Sequence, residues 1–524
     1  MARLPRVVSL GVSFAALACL LVSVLWLARL QATGPERLDL QLGAGLPATL
    51  YLPWAAGAEP EAEARPPAVV LAHGFASDRM GMSILARSLT QAGYAVLTLD
   101  FRGHGENRNP FSRSGSRTDS LHADLRAAVD FLRGLPRVDG GRISLMGHSM
   151  GASAALEYAG FDPALDATVM ISGGRRVEGP QRPANALFIY GEGDPSRIRE
   201  RSTALVGELA ADELAEESAA AGALFGSFEN ATAVSHVEVA RADHITILSS
   251  AYAARRIIDW LDQSYGVERS TFFLRADPRL RTAGIGMLAF LALLPGIGAL
   301  LGRVAPRLAE RPGGGLLQRL GLLAGALVVT LPLLAVGGVE RVVPLVVANT
   351  VVVHLFAAGA LLLTARFLRV ELDLSVLRVG FGSTVAAAMI GLLAVVFAMT
   401  PFGVVLHGLG LTPERAGVAV ALTLLLLPFQ LALHDLLQRG SGVSATIACS
   451  LGRLLILAVL VVAVQVGVLS GVVMLMLPVL VLLFVLFQVL SSAVYAASRN
   501  YVVPAALESA WLAWVLAAVL PITI

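Results

Sequence analysis

Arg142-Ile-Ser-Leu-Met146, followed by Gly147-His-Ser-Met-Gly151, is the stretch of sequence that decides the fold. The first five residues form a short apolar run that predicts a β-strand. The next five form a glycine-x-serine-x-glycine pattern. When this pattern joins a strand to a helix, the tight turn presents the serine oxygen at the end of a sheet. The pattern is common in a chain with 51 glycines, so its meaning depends on the residues around it.

The residues around this stretch alternate between strand-like and helix-like patterns. Apolar residues at helical spacing predict helices over 82–92, which ends at Gly93, over 121–132, and over 252–265. Short apolar runs predict strands at 48–52, 68–72, 95–100, 142–146, 167–172, 186–190 and 233–240. This alternation indicates an α/β fold, a doubly wound and mostly parallel sheet with helices on both faces.

The composition of the chain is typical of a protein with several membrane spans. Hydrophobic residues make up 56% of the 524 residues and charged residues only 15%. The apolar run 7–30 is longer than the core of a cleaved signal peptide, which predicts an uncleaved anchor. Lipoprotein cleavage before Cys19 is the alternative, and Ala16-Leu17-Ala18 fits that signal poorly.

Eight further apolar stretches of membrane-spanning length follow Thr282, near 282–301, 320–338, 342–365, 379–399, 416–433, 446–469, 472–490 and 504–522. The sequence therefore predicts four parts. These are an anchor at 1–30, an α/β domain at 31–270, a linker at 271–281, and an all-α polytopic membrane domain of about eight helices at 282–524.

The arginines of the short loops predict the orientation. If the N-terminus lies in the cytoplasm, the short outer loops hold only two arginines, Arg341 and Arg415. The short inner loops then hold nine, which are Arg303, Arg307, Arg311, Arg319, Arg366, Arg369, Arg378, Arg439 and Arg499. Positive charge favours the inner side, so this distribution predicts a multi-pass cell-membrane protein whose polar domain faces outward. Arginines at 275, 279 and 281 oppose this, but they belong to a long domain whose charges count for less.

A serine hydroxyl becomes a good nucleophile only when a base takes its proton and a third group orients that base. The strand at 186–190 runs into a loop that contains Asp194, and the last predicted strand leads to His244. The order Ser149, Asp194, His244 is the order expected for a serine on such a turn. Glu192 is an alternative acid, and His236 and His104 are alternative bases.

The carbonyl under attack also needs donors for its developing negative charge. In this arrangement one donor is the amide of the residue after the serine, Met150. The second is an amide that follows an earlier strand. His73-Gly74-Phe75 follows the strand at 68–72, which makes Phe75 the predicted second donor.

Together these motifs resemble the α/β-hydrolase fold over residues 36–266. The resemblance rests on His73-Gly74-Phe75, Leu99-Asp-Phe-Arg-Gly-His-Gly105, Gly147-His-Ser-Met-Gly151, Gly191-Glu-Gly-Asp194 and Asp243-His244, in this order. It is strongest for the lysophospholipase, dienelactone-hydrolase and serine-aminopeptidase-like branch. It implies Ser149 as nucleophile, Asp194 as orienting acid and His244 as base, with no metal or organic cofactor.

Many relatives carry a cap domain between the nucleophile and the acid, but the 44 residues between Ser149 and Asp194 leave no room for one. An insertion lies instead between Asp194 and His244. It contains a helix-like stretch, 203–220, and the sequence does not decide whether 195–232 acts as a lid.

The expected function is a membrane-embedded serine hydrolase that cleaves an ester, thioester or amide through an acyl-serine intermediate. Its expected partners are membrane lipids and a small-molecule, lipid or peptide substrate. Nucleic acid is not expected, because the net charge is only +2. The alternative is a polytopic transporter or membrane assembly protein whose outer domain keeps the fold without catalysis.

Polar residues within the predicted spans are few. His354, Gln430, Gln465 and Gln488 are expected to form hydrogen bonds between helices. Arg453 and His434-Asp435 lie near predicted inner helix ends, where they are expected to reach the interface by snorkelling. We expect Asp100 and Asp243 to be structural loop residues.

Overall fold

A computed structural model describes residues 6–53, 65–112, 116–211, 221–269, 273–309, 315–335, 342–368, 380–405 and 407–523. The chain forms two units. The polar unit comprises Leu27–Arg281 together with Phe402–Gly408 and Pro521–Ile524. The helical unit comprises Met1–Trp26, Thr282–Pro401 and Leu409–Leu520.

The polar unit is built on an eight-stranded sheet. Its strands are β1 (Glu36–Leu42), β2 (Leu46–Leu52), β3 (Ala68–Ala72), β4 (Ala95–Leu99), β5 (Ile143–His148), β6 (Ala167–Ile171), β7 (Ala186–Gly191) and β8 (Val234–Val239). Their order across the sheet is β1-β2-β4-β3-β5-β6-β7-β8. The six strands from β4 to β8 are parallel, while β1 pairs with β2 and β2 with β4 in antiparallel register.

The predicted α/β fold is confirmed. All seven predicted strands are present, and β1 is the one that the sequence analysis missed. β1 lies at the edge of the sheet, and most of its residues are only partly buried. It therefore lacks the apolar run by which the inner strands were found.

Helices cover both faces of the sheet, as the fold requires. They are α2 (Ser83–Gln91), α3 (Ser116–Gly134), α4 (Met150–Ala159), α5 (Ser196–Leu209) and α6 (Ala251–Tyr265). Alternate residues of β7 show the two layers. Leu187 and Ile189 pack in the core that contains α2 and α6, whereas Phe188 packs with α4 and α5. Every residue of the inner strands β3 to β7 is therefore buried, which explains their continuous apolar sequences.

The parallel strands all end at the same edge of the sheet. Ser149 follows β5 and His73 follows β3. Asp194 and His244 lie in the loops after β7 and β8. The topology thus gathers residues that are far apart in sequence at one edge, which is where ligands bind in open α/β sheets.

The long helices of the remaining described residues lie outside the sheet and its covering helices. They are α1 (Arg6–Ala32), α7 (Pro278–Val304), α8 (Leu316–Thr330), α9 (Ala348–Leu368), α10 (Phe381–Met399), α11 (Pro413–Leu437), α12 (Gly442–Gln465), α13 (Val472–Ser498) and α14 (Val502–Val519). Within the described ranges, nine helical segments are long and apolar enough to cross a membrane. They correspond to the predicted anchor and the eight predicted stretches.

The helical unit buries more charge than the sequence analysis expected. Glu508, which that analysis overlooked, accepts a hydrogen bond from Arg453 at 2.7 Å and faces the ring of His434 at 3.1 Å. Asp435 forms an ion pair with Arg366. The snorkelling prediction for Arg453, His434 and Asp435 is therefore wrong, because all three side chains are buried and paired inside the unit.

Uncharged polar residues in these helices follow the prediction more closely. Gln488 donates to Ser492 on its own helix at 2.8 Å and to the Thr446 carbonyl of α12 at 3.3 Å. His354 of α9 lies 3.2 Å from the Thr330 hydroxyl of α8. Both form the expected bonds between helices. Gln465, in contrast, is exposed at the end of α12.

Candidate active site

The turn between β5 and α4 holds Ser149 in a conformation that few non-glycine residues adopt. Its φ is 54° and its ψ is −109°. The flanking glycines make this turn possible. A Cβ on Gly147 would lie 2.2 Å from the Gly151 carbonyl, and one on Gly151 would lie 2.6 Å from the His73 carbonyl. The sharp turn leaves Ser149 only partly buried, with its side chain at the edge of the sheet.

Ser149, His244 and Asp194 form one chain of hydrogen bonds. The Nδ1 atom of His244 donates to the Asp194 carboxylate, with 2.6 Å between Nδ1 and Oδ1. Its Nε2 atom lies 3.0 Å from the Ser149 hydroxyl oxygen. Because the carboxylate can only accept, Nδ1 carries the proton and Nε2 presents a lone pair to the hydroxyl. The arrangement can therefore remove a proton from Ser149.

The alternative residues have other partners in the described part of the chain. The Glu192 carboxylate accepts from the Arg241 amide at 2.9 Å. His236 lies 2.8 Å from the Tyr190 hydroxyl, and His104 donates through Nδ1 to the Arg102 carbonyl at 2.9 Å. The structure thus aligns Asp194 and His244 with Ser149. The three alternatives are not part of this hydrogen-bonded chain.

The two loop aspartates have the expected structural role. Asp100 accepts from the Arg79 amide at 2.7 Å and from the Glu106 amide at 2.9 Å. Asp243 accepts from the Thr246 amide at 2.8 Å, just before His244. Both carboxylates shape the loops at the carboxyl ends of strands.

Asp194 has a second partner that the sequence analysis missed. Its Oδ2 atom accepts from the Ser172 hydroxyl at 2.6 Å and from the Gly191 amide at 2.8 Å. Burial acts to raise the pKa of Asp194, but the hydrogen bonds from His244, Ser172 and Gly191 outweigh burial and lower this pKa below its ordinary value. The carboxylate therefore stays charged opposite His244. Ser172 directly follows β6, and its position at a strand end was the available signal.

His148, directly before the serine, is a second residue that the sequence analysis missed. It is buried, and its Nε2 atom donates to the His244 carbonyl at 2.8 Å. Burial, followed by the nearby His244, lowers the pKa of His148 to about 3. His148 is therefore neutral at ordinary pH and connects the backbone of His244 to the turn that contains Ser149.

The loop after β3 lies directly against Ser149. A Cβ on Gly74 would lie 3.1 Å from the Cβ of Ser149. His73 orients this loop, because its Nε2 accepts from the Phe101 amide at 3.0 Å while its Nδ1 donates to the Gly74 carbonyl at 2.7 Å. Burial lowers the pKa of His73 to about 4, which keeps the ring neutral.

Phe75 and Met150 therefore lie close to Ser149 along the chain path. Phe75 directly follows Gly74, and Met150 is the first residue of α4. The first amides of a helix have no acceptor within the helix, so the Met150 amide is available to an external oxygen. Their role as oxyanion donors stays a prediction.

The insertion after Asp194 is partly described. Its helix, α5, packs Leu205 and Val206 against Phe188 and Val234 of the sheet. This helix thus belongs to the layer that covers the sheet. Residues 212–220 of the predicted helix-like stretch lie outside the described residues. Within the described ranges, no group of three His, Cys, Asp or Glu side chains could hold a metal ion.

Comparison with known proteins gives a consistent result. Residues 64–192 match the family profile described as serine aminopeptidase, S33. An uncharacterised protein of Mycobacterium tuberculosis is 41% identical over 93 residues, which are 18% of this chain and 31% of that protein. A bis(hydroxyethyl) terephthalate hydrolase of Streptomyces coelicolor is 28% identical over 199 residues, 37% of this chain and 56% of that enzyme.

A thiohydrolase of Arthrinium phaeospermum is 34% identical over 114 residues, 21% of this chain and 36% of that enzyme. Among solved structures, a dienelactone hydrolase of Anabaena variabilis covers 45% of this chain and 99% of its own length, with 20% identity and a TM-score of 0.31. The chain spans only 31 to 56% of the length of these sequence relatives. The order of motifs, the sheet and the matching profile agree: the polar part of this chain is an α/β-hydrolase domain, joined to apolar helices of membrane-spanning length.

Proposed function

We propose that this protein is a membrane-embedded serine hydrolase whose nucleophile is Ser149. The observation that supports this most directly is the hydrogen-bonded chain from Ser149 through His244 to Asp194, with distances of 3.0 and 2.6 Å. A buried carboxylate with a lowered pKa stabilises the positive charge that develops on the histidine ring during proton transfer.

In the proposed reaction the Ser149 oxygen attacks the carbonyl carbon of the substrate. Its proton moves to Nε2 of His244, and the amides of Phe75 and Met150 stabilise the oxyanion. When the tetrahedral intermediate collapses, His244 gives the proton to the leaving group and an acyl-serine remains. Water activated by His244 then attacks the acyl carbon, which releases the acid and restores the Ser149 hydroxyl.

The substrate class follows from the chemistry and from the relatives. A serine nucleophile with a histidine base cleaves esters, thioesters and amides. The matched proteins include a terephthalate ester hydrolase and a thiohydrolase by name, which favours an ester or thioester. Membrane lipids or molecules dissolved in the bilayer would be delivered to an enzyme held at the membrane by nine spans.

The same proposal includes an outward-facing polar unit in the cell membrane, as the arginine distribution predicts. An alkaline-phosphatase fusion after residue 270 should be active in cells. An inactive fusion, with an active one after residue 310, would reverse the orientation.

The catalytic proposal is tested with the full-length protein in detergent. We expect a fluorophosphonate probe to label the wild type, and expect no labelling of Ser149→Ala. Ser153→Ala is the matched control, because Ser153 lies one helical turn further along α4 and should label normally. Equal labelling of wild type and Ser149→Ala would reject Ser149 as the nucleophile.

A further inference from the structure

Two short segments that follow membrane-length helices belong to the polar unit. Phe402–Gly408 comes after α10, and Pro521–Ile524 comes after α14. By sequence pattern, both fall within the predicted membrane domain at 282–524. Their contacts in the polar unit are with the loops that surround Phe75, the predicted oxyanion donor.

The first segment holds Asp78, three residues after Phe75. The Gly408 amide donates to Oδ2 of Asp78 at 2.6 Å, and Nδ1 of His407 lies 3.2 Å from the same oxygen. Nδ1 also lies 2.9 Å from the Gly408 carbonyl. Since both neighbours are acceptors, Nδ1 carries a proton and is shared between them. Asp78 is only 2% exposed, so these donors hold a buried carboxylate.

The other oxygen of Asp78 is used within its own loop. Oδ1 accepts from the Gly81 amide at 2.9 Å. Next to it, Arg79 donates to the Thr49 hydroxyl at 3.1 Å and forms an ion pair with Asp100. The loop after β3 is therefore fixed on one side by Arg79 and on the other by the segment that contains His407.

The second segment binds the loop that carries Phe111, whose ring contacts Phe75. The Ile522 amide donates to the Gly103 carbonyl and the Phe111 amide donates to the Ile522 carbonyl, both at 2.8 Å. The rings of Phe111 and Phe75 are 6.3 Å apart, in edge contact. His104 lies beside both rings, at 5.2 Å from Phe111 and 5.9 Å from Phe75.

The loop between these two contacts has a strained backbone. Ala76, directly after Phe75, has a φ of 56°. This left-handed conformation is unfavourable in free energy for any residue that carries a side chain. Such a conformation persists only when the surrounding contacts hold it. The strained residue therefore turns the chain directly after Phe75, the predicted oxyanion donor.

The order of the nine membrane-length helices found in the described residues is consistent with both contacts. The polar domain follows the first span, Phe402–Gly408 follows the fifth, and Pro521–Ile524 follows the ninth. A chain that crosses a membrane nine times places the residues after every odd-numbered span on the same side. Both segments can therefore reach the polar domain, whichever way the protein is inserted.

We propose that these two segments are positioning elements for the oxyanion loop, with His407 and Ile522 as their main contacts. They would keep the Phe75 amide directed at the reacting carbonyl. This gives the later spans a function beyond anchoring, because spans five and nine deliver parts of the hydrolase site. The inference rests on the proposed function, since it concerns how that site is assembled.

The test uses the full-length protein and two variant series. His407→Leu removes the side-chain donor to Asp78 and leaves the Gly408 amide in place, whereas His407→Asn keeps a side-chain amide near the position of Nδ1. Ile522→Pro removes the donor to Gly103, whereas Ile522→Val keeps it. His122→Leu is the matched control, because His122 is also a partly buried histidine near a carboxylate, 3.9 Å from Glu157 at the far end of α4.

We expect kcat for a p-nitrophenyl ester to fall about 10-fold in His407→Leu and in Ile522→Pro, within the roughly 100-fold effect of losing one oxyanion donor. KM should change little, because the donor acts mainly in the transition state. The rate of fluorophosphonate labelling should fall in parallel. His407→Asn, Ile522→Val and His122→Leu should stay within about 2-fold of wild type.

Wild-type rates in both His407→Leu and Ile522→Pro, with wild-type labelling intact, would overturn the positioning role and leave Ser149 as the nucleophile. An unlabelled wild type would overturn both the proposed function and this inference. An equal loss in His407→Asn and His407→Leu would also overturn it, since the donor would then be irrelevant. If His407→Leu does not fold, two other variants answer the same question. One is Ile522→Pro. The other is His407→Gln, whose amide lies one bond further out than that of asparagine.

Discussion

Each unit of this protein buries a carboxylate beside a histidine, but the two arrangements differ in the other groups that the carboxylate and the histidine contact. In the polar unit, Asp194 binds His244, and the second ring nitrogen of His244 faces a partly exposed hydroxyl. In the helical unit, Glu508 binds Arg453 and faces His434, and all three side chains are buried.

The difference lies in what each carboxylate can do. Among the described residues Asp194 pairs with His244 and no ion pair joins it to an arginine, so its charge acts on the histidine and through it on Ser149. The charge of Glu508 is already neutralised by Arg453, which is further held by Gln488. The first arrangement is suited to moving a proton, whereas the second joins α11, α12, α13 and α14 within the unit. Loss of a charge should therefore reduce activity in one unit and stability in the other.

The largest expected effect is that of Asp194→Asn on activity. An amide at this position favours the wrong tautomer of His244, and kcat should fall about 10,000-fold. The matched control is Glu192→Gln, two residues earlier, whose carboxylate contacts only the exposed Arg241 backbone among the described residues. Ester hydrolysis by the purified full-length variants measures both. A loss in Glu192→Gln as large as that in Asp194→Asn would contradict the assignment of the acid.

The second expected effect is that of Arg453→Met on stability. This change leaves the Glu508 carboxylate buried without its main partner, which typically costs about 3–5 kcal/mol of unfolding free energy. Unfolding in detergent measures the loss. Arg453→Met combined with Glu508→Leu should recover much of it, because no unpaired charge remains.

The control for this pair is Arg303→Met, at an exposed arginine in the last turn of α7. It should unfold like the wild type. If Arg453→Met were as stable as Arg303→Met but inactive, the buried ion pair of the helical unit would have a role in activity, and the contrast between the units would not hold.

The smallest expected effect is that of His148→Ala on the rate. Loss of its hydrogen bond to the His244 backbone, worth about 1 kcal/mol, should lower kcat/KM roughly 5-fold. Because burial holds the pKa of His148 near 3, this ring does not titrate between pH 5 and 9. The rate should fall by the same factor at every pH in that range. A shift in the acid limb of the pH profile of kcat/KM would show that His148 titrates with the reaction.

Much of the fold was predictable because each element carries a local pattern. The inner strands are buried on both faces, so β3 and β5 appear as apolar runs, and the membrane-length helices appear as longer ones. β1 was missed because most of its residues are only partly buried and it therefore has no such apolar run. The site residues Ser149, Asp194 and His244 were predicted because loops at the carboxyl ends of parallel strands must meet.

Other partners were not predictable because they depend on distances through space. Ser172 and His148 are ordinary residues in sequence, and only the packing of β5, β6 and β7 brings them against Asp194 and His244. In the helical unit, Arg453 and Glu508 are 55 residues apart. Each of these two alone resembles a polar residue near a helix end.

The sequence by itself determined the α/β-hydrolase domain, the apolar helices and the order Ser149, Asp194, His244, because period, length and motif order are local properties of the chain. Only the tertiary structure decided which charges are paired and that Phe402–Gly408 and Pro521–Ile524 contact the loops around Phe75. The physical reason is that a buried charge must find its partner wherever the folded chain places one. That position depends on how the whole chain packs, so it cannot be predicted from any single stretch of sequence.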